Sequence, residues 1–353
     1  MHSQGGLVPM ERAWACLTAV LPTGLLLAAP LDAAPFVAYI GNVPVHSPSP
    51  TARIAVFDAA TEATTDVSEG LWSARSPVWS PDGARLAFEA IEEGLNDIVV
   101  CAPDGSARAN VTQTPDVWES APAFLDGDRL VCLEGPDRTD LCVLDLATGT
   151  RAKLTQETAF HGTPVVSPDG RLVALTASDK LAGPGDILLI DVADGSVRNL
   201  TEAPALYSPP GFSPGGETLA FCFDGRDIGG ATRGLAVMPL VGGEARLLAN
   251  DGYPLAPVRF SADGTRIAYT SSATYHSTAV SIVDADGANG AQPGVGSAHI
   301  SGWPSFSPDG NLLACQAVFA ARYTIRLLDL TTGEARIITP EGETGVNPVF
   351  SPR

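Results

Sequence analysis

The sequence predicts an all-β protein: a seven-bladed β-propeller closed by pairing the C-terminal strand with the N-terminal blade, with six blades as the alternative count. Three observations predict it. A strand–turn–strand unit recurs along the chain, its spacing is nearly constant, and each chain end carries half a unit.

The unit is clearest from Pro304 to Cys315, where Ser307-Pro308-Asp309-Gly310 makes a turn between two apolar runs. Proline presets φ, aspartate bonds its own backbone, and glycine accepts positive φ. Close copies surround Ser80-Pro81-Asp82-Gly83 and Ser167-Pro168-Asp169-Gly170, and looser ones surround Ser213, Ser261 and Asp126. The aromatic or apolar residue before the turn falls at 79, 124, 166, 212, 260, 306 and 350, at intervals of 45, 42, 46, 48, 46 and 44 residues. That period, filled with strands and turns, indicates propeller blades.

Each unit has a second half, as in Asp97–Cys101, Asp140–Leu146, Asp186–Val192 and Thr324–Leu330, each followed by a turn and a short fourth run. Four strands of about 5–6 residues with their turns account for the period. Asp145, Asp191, Asp284 and Asp329 recur at the end of the third strand, where capping the turn explains them better than a metal array does.

The first unit lacks an inner strand. Phe36–Ile40 matches a second strand, Arg53–Asp58 a third and Thr64–Val67 a fourth, while Asn347–Ser351 is a spare inner strand. Joining the two leftovers closes the ring and removes the exposed edges an open array would carry. Residues 1–34 do not repeat. A charged start at Met10-Glu11-Arg12, an apolar run from Ala13 to Ala29 and small residues after it read as a signal peptide. Residues 35–353 are then one propeller domain of a periplasmic or secreted protein, with no transmembrane segment once the signal is removed.

Lys+Arg 21 against Asp+Glu 40 gives a net charge of −19, which argues against nucleic acid or an anionic membrane as partner. Cys101, Cys132 and Cys315 sit at strand slots that other blades fill with apolar residues, so buried thiols are expected. Cys132 and Cys142 lie on neighbouring strands, leaving a disulfide open, although cross-strand geometry often disfavours one. No Cys-x-x-Cys pair occurs, and neither a metal nor a cofactor is expected.

The repeated Phe-Ser-Pro-Asp-Gly-x-x-Leu-Ala-Phe, then Asp-Ile-x-x-Asp, then a short run ending Leu-Thr, resembles the WD-like propeller repeat of TolB, over residues 36–353. The resemblance implies a propeller that binds at its faces and, for TolB, a periplasmic protein-interaction role. Neither the α/β domain that precedes the TolB propeller nor the hydrolase domain of prolyl oligopeptidase-like enzymes is expected here, and the sequence has no Gly-x-Ser-x-Gly elbow. Seven-bladed oligogalacturonate lyases are similar in repeat pattern. That likeness implies the alternative function, a saccharide-active enzyme with a metal near the axis, for which Glu119 and His161 are the suitable residues.

The loops entering the inner strands offer a recognition surface. Five residues before the aromatic slot stand Ala74, Glu119, His161, Tyr207, Leu255, Ser301 and Gly345, with Trp118, Phe160, Tyr253 and Trp303 close by. Equivalent placement brings these side chains to one rim on the face opposite the Ser-Pro-Asp-Gly turns, unless the aromatics simply wedge between blades. Asp224 and Arg226, on a variable loop, are a further polar pair, either ligand-binding or solvated. The function this predicts is non-enzymatic binding of a protein or peptide through the aromatic-rich axial face.

Overall fold

A computed structural model describes residues 35–42, 52–92, 95–114, 116–136, 139–156, 159–181, 183–252, 257–274, 277–291, 299–319 and 321–353. The proposed signal segment, Tyr253, His46 and His276 lie outside the described residues. Every regular element among the described residues is a strand, and the strands form seven antiparallel sheets. The seven-blade count holds, and the six-blade alternative does not.

Blades 2 to 7 run in chain order. Their inner strands begin at Ser73, Glu119, Phe160, Leu206, Arg259 and His299. Blade 1 is composite. Phe36–Gly41, Arg53–Asp58 and Thr64–Asp66 supply its three outer strands, and Gly345–Phe350 supplies the inner one. Val37 pairs with Phe350 and Ala38 with Val349. The junction is tied further by Ser351 N to Phe36 O at 2.8 Å, Phe36 N to Ser351 Oγ at 3.0 Å, and Trp79 Nε1 to Val349 O at 3.0 Å.

The core lies between blades. Each of the seven seams holds its own apolar cluster, such as Phe221, Phe223 and Ile187 between blades 4 and 5, and Ala268, Phe306 and Leu313 between blades 6 and 7. The aromatic slot before each turn packs toward the preceding blade: Trp79 toward blade 1, Phe212 toward blade 4, Phe350 toward blade 7. Arginines cross the seams as well. Arg85 donates to Gly127 O at 2.7 Å, Arg266 to Gly310 O at 2.6 Å and Arg198 to Leu240 O at 2.8 Å.

Three Ser-Pro-Asp-Gly turns and the Ser261-Ala262-Asp263-Gly264 turn share one hydrogen-bond pattern. Ser80, Ser167, Ser261 and Ser307 donate to the aspartate two residues on at 2.6, 2.6, 2.5 and 2.5 Å, and each hydroxyl accepts the N–H that resumes the strand. In the Ser261 turn, the serine hydroxyl first, then Thr265, hold the Asp263 carboxyl down to about 2. Third-strand aspartates cap their turns as the sequence suggests. Asp145 accepts Thr148 N at 2.8 Å, and Asp329 accepts Thr331 N at 2.8 Å.

One regularity was not anticipated. Ser76, Ala121, Trp303 and Asn347 each take positive φ, between 50° and 56°, immediately before Pro77, Pro122, Pro304 and Pro348. Proline brings no N–H to the ladder, so the pairing register shifts there and the inner strand bulges. In blades 4 and 5 the inner strand instead breaks into two short pieces.

The five described cysteines are buried, and none is in a disulfide. Cys132 and Cys142 are directly opposite. Leu141 turns its carbonyl to Leu154 N and its N–H to Thr155 Oγ1, both outward. Strand alternation therefore makes Cys132–Cys142 a hydrogen-bonded pair, the wider of the two antiparallel spacings at about 5.5 Å between Cα atoms. The two are not bridged.

Candidate binding face

The face opposite the Ser-Pro-Asp-Gly turns collects the loops entering the inner strands and those joining second to third strands. Among the described residues, five of the eight exposed large hydrophobic side chains stand on it: Trp72, Trp118, Leu181, Leu206 and Phe319, with Leu181 74% exposed and Trp72 57%. Val197 and Ile337 lie on outer strands, and Val241 lies in a turn of the other face.

Phe160, His161 and Tyr207 come together. They line a cavity of about 220 Å3 at the blade 4–5 seam, walled by Thr176, Ser178 and Ala205, with Lys180, Leu181 and Leu206 around it. Phe160 pairs with Ser178 and His161 with Ala177 at the mouth of the blade. Close backbone approach requires glycine at the wall. A Cβ on Gly162 would lie 2.2 Å from Thr176 Oγ1, and one on Gly185 2.0 Å from Ala177 O.

His161 Nδ1 stands 3.4 Å from Thr139 Oγ1. Burial pushes its pKa below the ordinary value, outweighing Thr139 and the Asp140 charge, so the imidazole is neutral at pH 7. Tyr207 is buried, with its hydroxyl donating to Ala203 O at 2.9 Å and accepting from Arg226 Nη1 at 3.1 Å. Arg226 also donates to Thr201 O at 2.7 Å. The Arg226 side chain thus braces the loop between blades 4 and 5. Asp224 pairs through its backbone with Leu206 and Arg233 and borders a shallow polar hollow with Gly230 and Asn250.

Glu119 turns inward. It is fully buried, accepts from Thr114 Oγ1, and meets Arg151 Nη1 at 3.0 Å; the same nitrogen reaches Glu134 Oε1 at 2.9 Å. Burial raises the Glu119 pKa against the pull of Thr114 and Arg151. Its neighbour Trp118 remains 43% exposed, and Trp303 is half-buried in its bulge. Spacing missed Leu181, Leu206 and Phe319 because they lie at strand ends and variable loops, where the repeat gives no register. Among the described residues, no group of three or more His, Cys, Asp or Glu side chains is placed to hold a metal ion, and no helix is long and apolar enough to cross a membrane.

No family model and no curated protein sequence matches the chain. Solved structures do. A TolB from Acinetobacter baumannii superposes with a TM-score of 0.61 at 22% identity, covering 93% of this chain and 69% of its own. A puromycin hydrolase, S511A mutant complexed with PGG, gives 0.70 at 16%, covering 88% of this chain and 52% of its own. An oligogalacturonate lyase in complex with manganese gives 0.62 at 17%, covering 82% and 84%. The chain therefore spans about half the length of the hydrolase. Identities this low report the fold, and the chain folds as a TolB-like seven-bladed β-propeller.

Proposed function

We propose that the protein is an exported, non-enzymatic binding module that takes a protein or peptide partner on the face opposite the Ser-Pro-Asp-Gly turns. The supporting observation is the clustering of exposed apolar side chains there, beside a cavity large enough for one side chain of a partner. A monomer surface disperses such residues, and a concentration of them beside polar groups marks a contact surface. Phe160, His161 and Tyr207 form the cavity; Trp118 and Trp303 extend the surface; Arg226 braces it.

The test is recovery of a partner from an envelope extract of the source organism. Trp72→Ala combined with Leu181→Ala removes mostly exposed area, so the variant keeps its melting temperature within about 1 °C. Its partner yield drops at least tenfold. Equal recovery by wild type and variant moves the contact surface elsewhere. The lyase alternative has no comparable support, since His161 belongs to no group of three or more His, Cys, Asp or Glu side chains placed to hold a metal among the described residues. Metal analysis with a screen on uronate oligosaccharides distinguishes it: bound metal with unsaturated product would replace the binding reading.

A further inference from the structure

Arg259 breaks the repeat. The residue just before the aromatic slot is Val78, Ala123, Val165 and Val349 in blades 2, 3, 4 and 1, and each packs into the apolar seam with the following blade. Blade 6 has an arginine at that slot. Arg259 is directly opposite Ala268, so the two side chains share a sheet face. Ala268 packs with Phe306, Leu313 and Cys315 of blade 7. The Arg259 side chain therefore projects toward blade 7, at the inner, channel-side end of the seam.

The guanidinium has almost nothing to bind there. Among the described residues its one hydrogen bond runs from Nη1 to the adjoining carbonyl, Val258 O, at 3.3 Å. No carboxylate of the described residues lies within ion-pair distance. Desolvation lowers its pKa with no partner acting against it. Other arginines near the axis are satisfied: Arg75 meets Glu89 at 2.6 Å, and Arg266 donates to a blade 7 carbonyl.

A second group beside it is also unpartnered. Thr270 lies two residues beyond Ala268 on the same face, a diagonal neighbour of Arg259. Thr270 is 1% exposed, and its Oγ1 has no hydrogen-bond partner. Gly302 of blade 7 leaves it room, since a Cβ there would lie 2.7 Å from that oxygen. Thr270 is buried and Arg259 is half-buried at the channel wall; buried polar groups are normally paired, and an arginine cannot shed its proton. A forked donor set with an adjacent hydroxyl is the complement of an oxyanion.

We propose that the inner end of the blade 6–7 seam is an oxyanion-binding site, in which Arg259 and Thr270 hold a carboxylate- or phosphate-type group at the channel wall. This site is separate from the blade 4–5 cavity and does not depend on it. The anion is either a free small ion or a carboxylate carried in by an acidic peptide.

Thermal unfolding of the full chain tests the proposal, with sodium phosphate or acetyl-aspartate amide exchanged for sodium chloride at equal ionic strength. Wild type rises by roughly 2–4 °C in saturating anion. Arg259→Val restores the residue of the equivalent slots, loses that rise, and melts no lower than wild type in chloride. Thr270→Val keeps the volume and weakens the response several-fold. A rise with phosphate alone assigns a free anion; a rise with acetyl-aspartate amide assigns a peptide carboxylate. The proposal is overturned if wild type responds to neither, or if Arg259→Val and Thr270→Val respond as wild type does.

Discussion

The two faces of the ring are built from the same repeats, yet they differ in kind. On one, four serine–aspartate contacts agree within 0.1 Å. On the other, equivalent slots have unlike surroundings: Glu119 is sealed against Arg151, His161 lines a cavity, and Tyr207 is clamped by Arg226. The repeat fixes where a side chain starts, not what it meets. Turns that hold the blade together must stay alike, because each solves the same backbone problem. Loops on the opposite face carry no such duty, and binding groups concentrate in loops held by a rigid scaffold.

Both faces exist only while the ring is closed, so closure gives the largest expected effect. Phe350→Asp puts a charge into the apolar cluster of Val37, Phe57, Ile325 and Leu327. The loss should exceed about 4 kcal/mol, the range reserved for unpaired buried charge and broken cores. Urea unfolding would show no folded baseline. A cooperative transition near the wild-type midpoint would mean the composite blade is dispensable, and the comparison of faces would lose its frame.

A smaller effect separates the faces directly. Arg151→Met leaves Glu119 and Glu134 without their shared cation, which should cost about 3 kcal/mol for a pair with one partner fully buried. Ser307→Ala on the uniform face removes one turn contact and should cost about 1 kcal/mol. Urea midpoints of the two variants give the ratio. If Ser307→Ala proves the more damaging, the irregular face is not the one with an interior network.

The blades were legible because they repeat: seven aligned slots and two half-units also gave the closure, Phe36 to Ser351, before any packing was known. The inner-strand bulges were half legible. Proline stands two residues before the aromatic slot in six blades, but the positive φ of Ser76, Ala121, Trp303 and Asn347 follows from how the strand bends toward the axis. For the candidate face, equivalence placed Phe160, His161 and Tyr207 near one another, since neighbouring blades present equivalent slots side by side. It did not foresee Glu119 turning inward, because Arg151 is 32 residues away and reaches it through the twist of the blade. Arg259 was visible as an odd residue in its slot, but its lack of a partner is a tertiary fact.

The smallest expected effect concerns His161. Its folded pKa lies below the ordinary value because burial disfavours the cation, with Asp140 and Thr139 only partly offsetting it. Above about pH 6.5 the ring is neutral in both folded and unfolded chains, and it adds no pH dependence. Below that, the unfolded chain takes up a proton the folded chain resists, so stability falls as pH falls, until the folded pKa is passed. The slope is that of at most one proton, about 1.4 kcal/mol per pH unit. His161→Gln has no such proton, so its melting temperature, measured from pH 7.5 to 5.5, should fall less than that of wild type. Parallel curves would mean the imidazole is as well solvated as a free one, and the blade 4–5 cavity would then be an open surface, no different in kind from the turns on the other side of the ring.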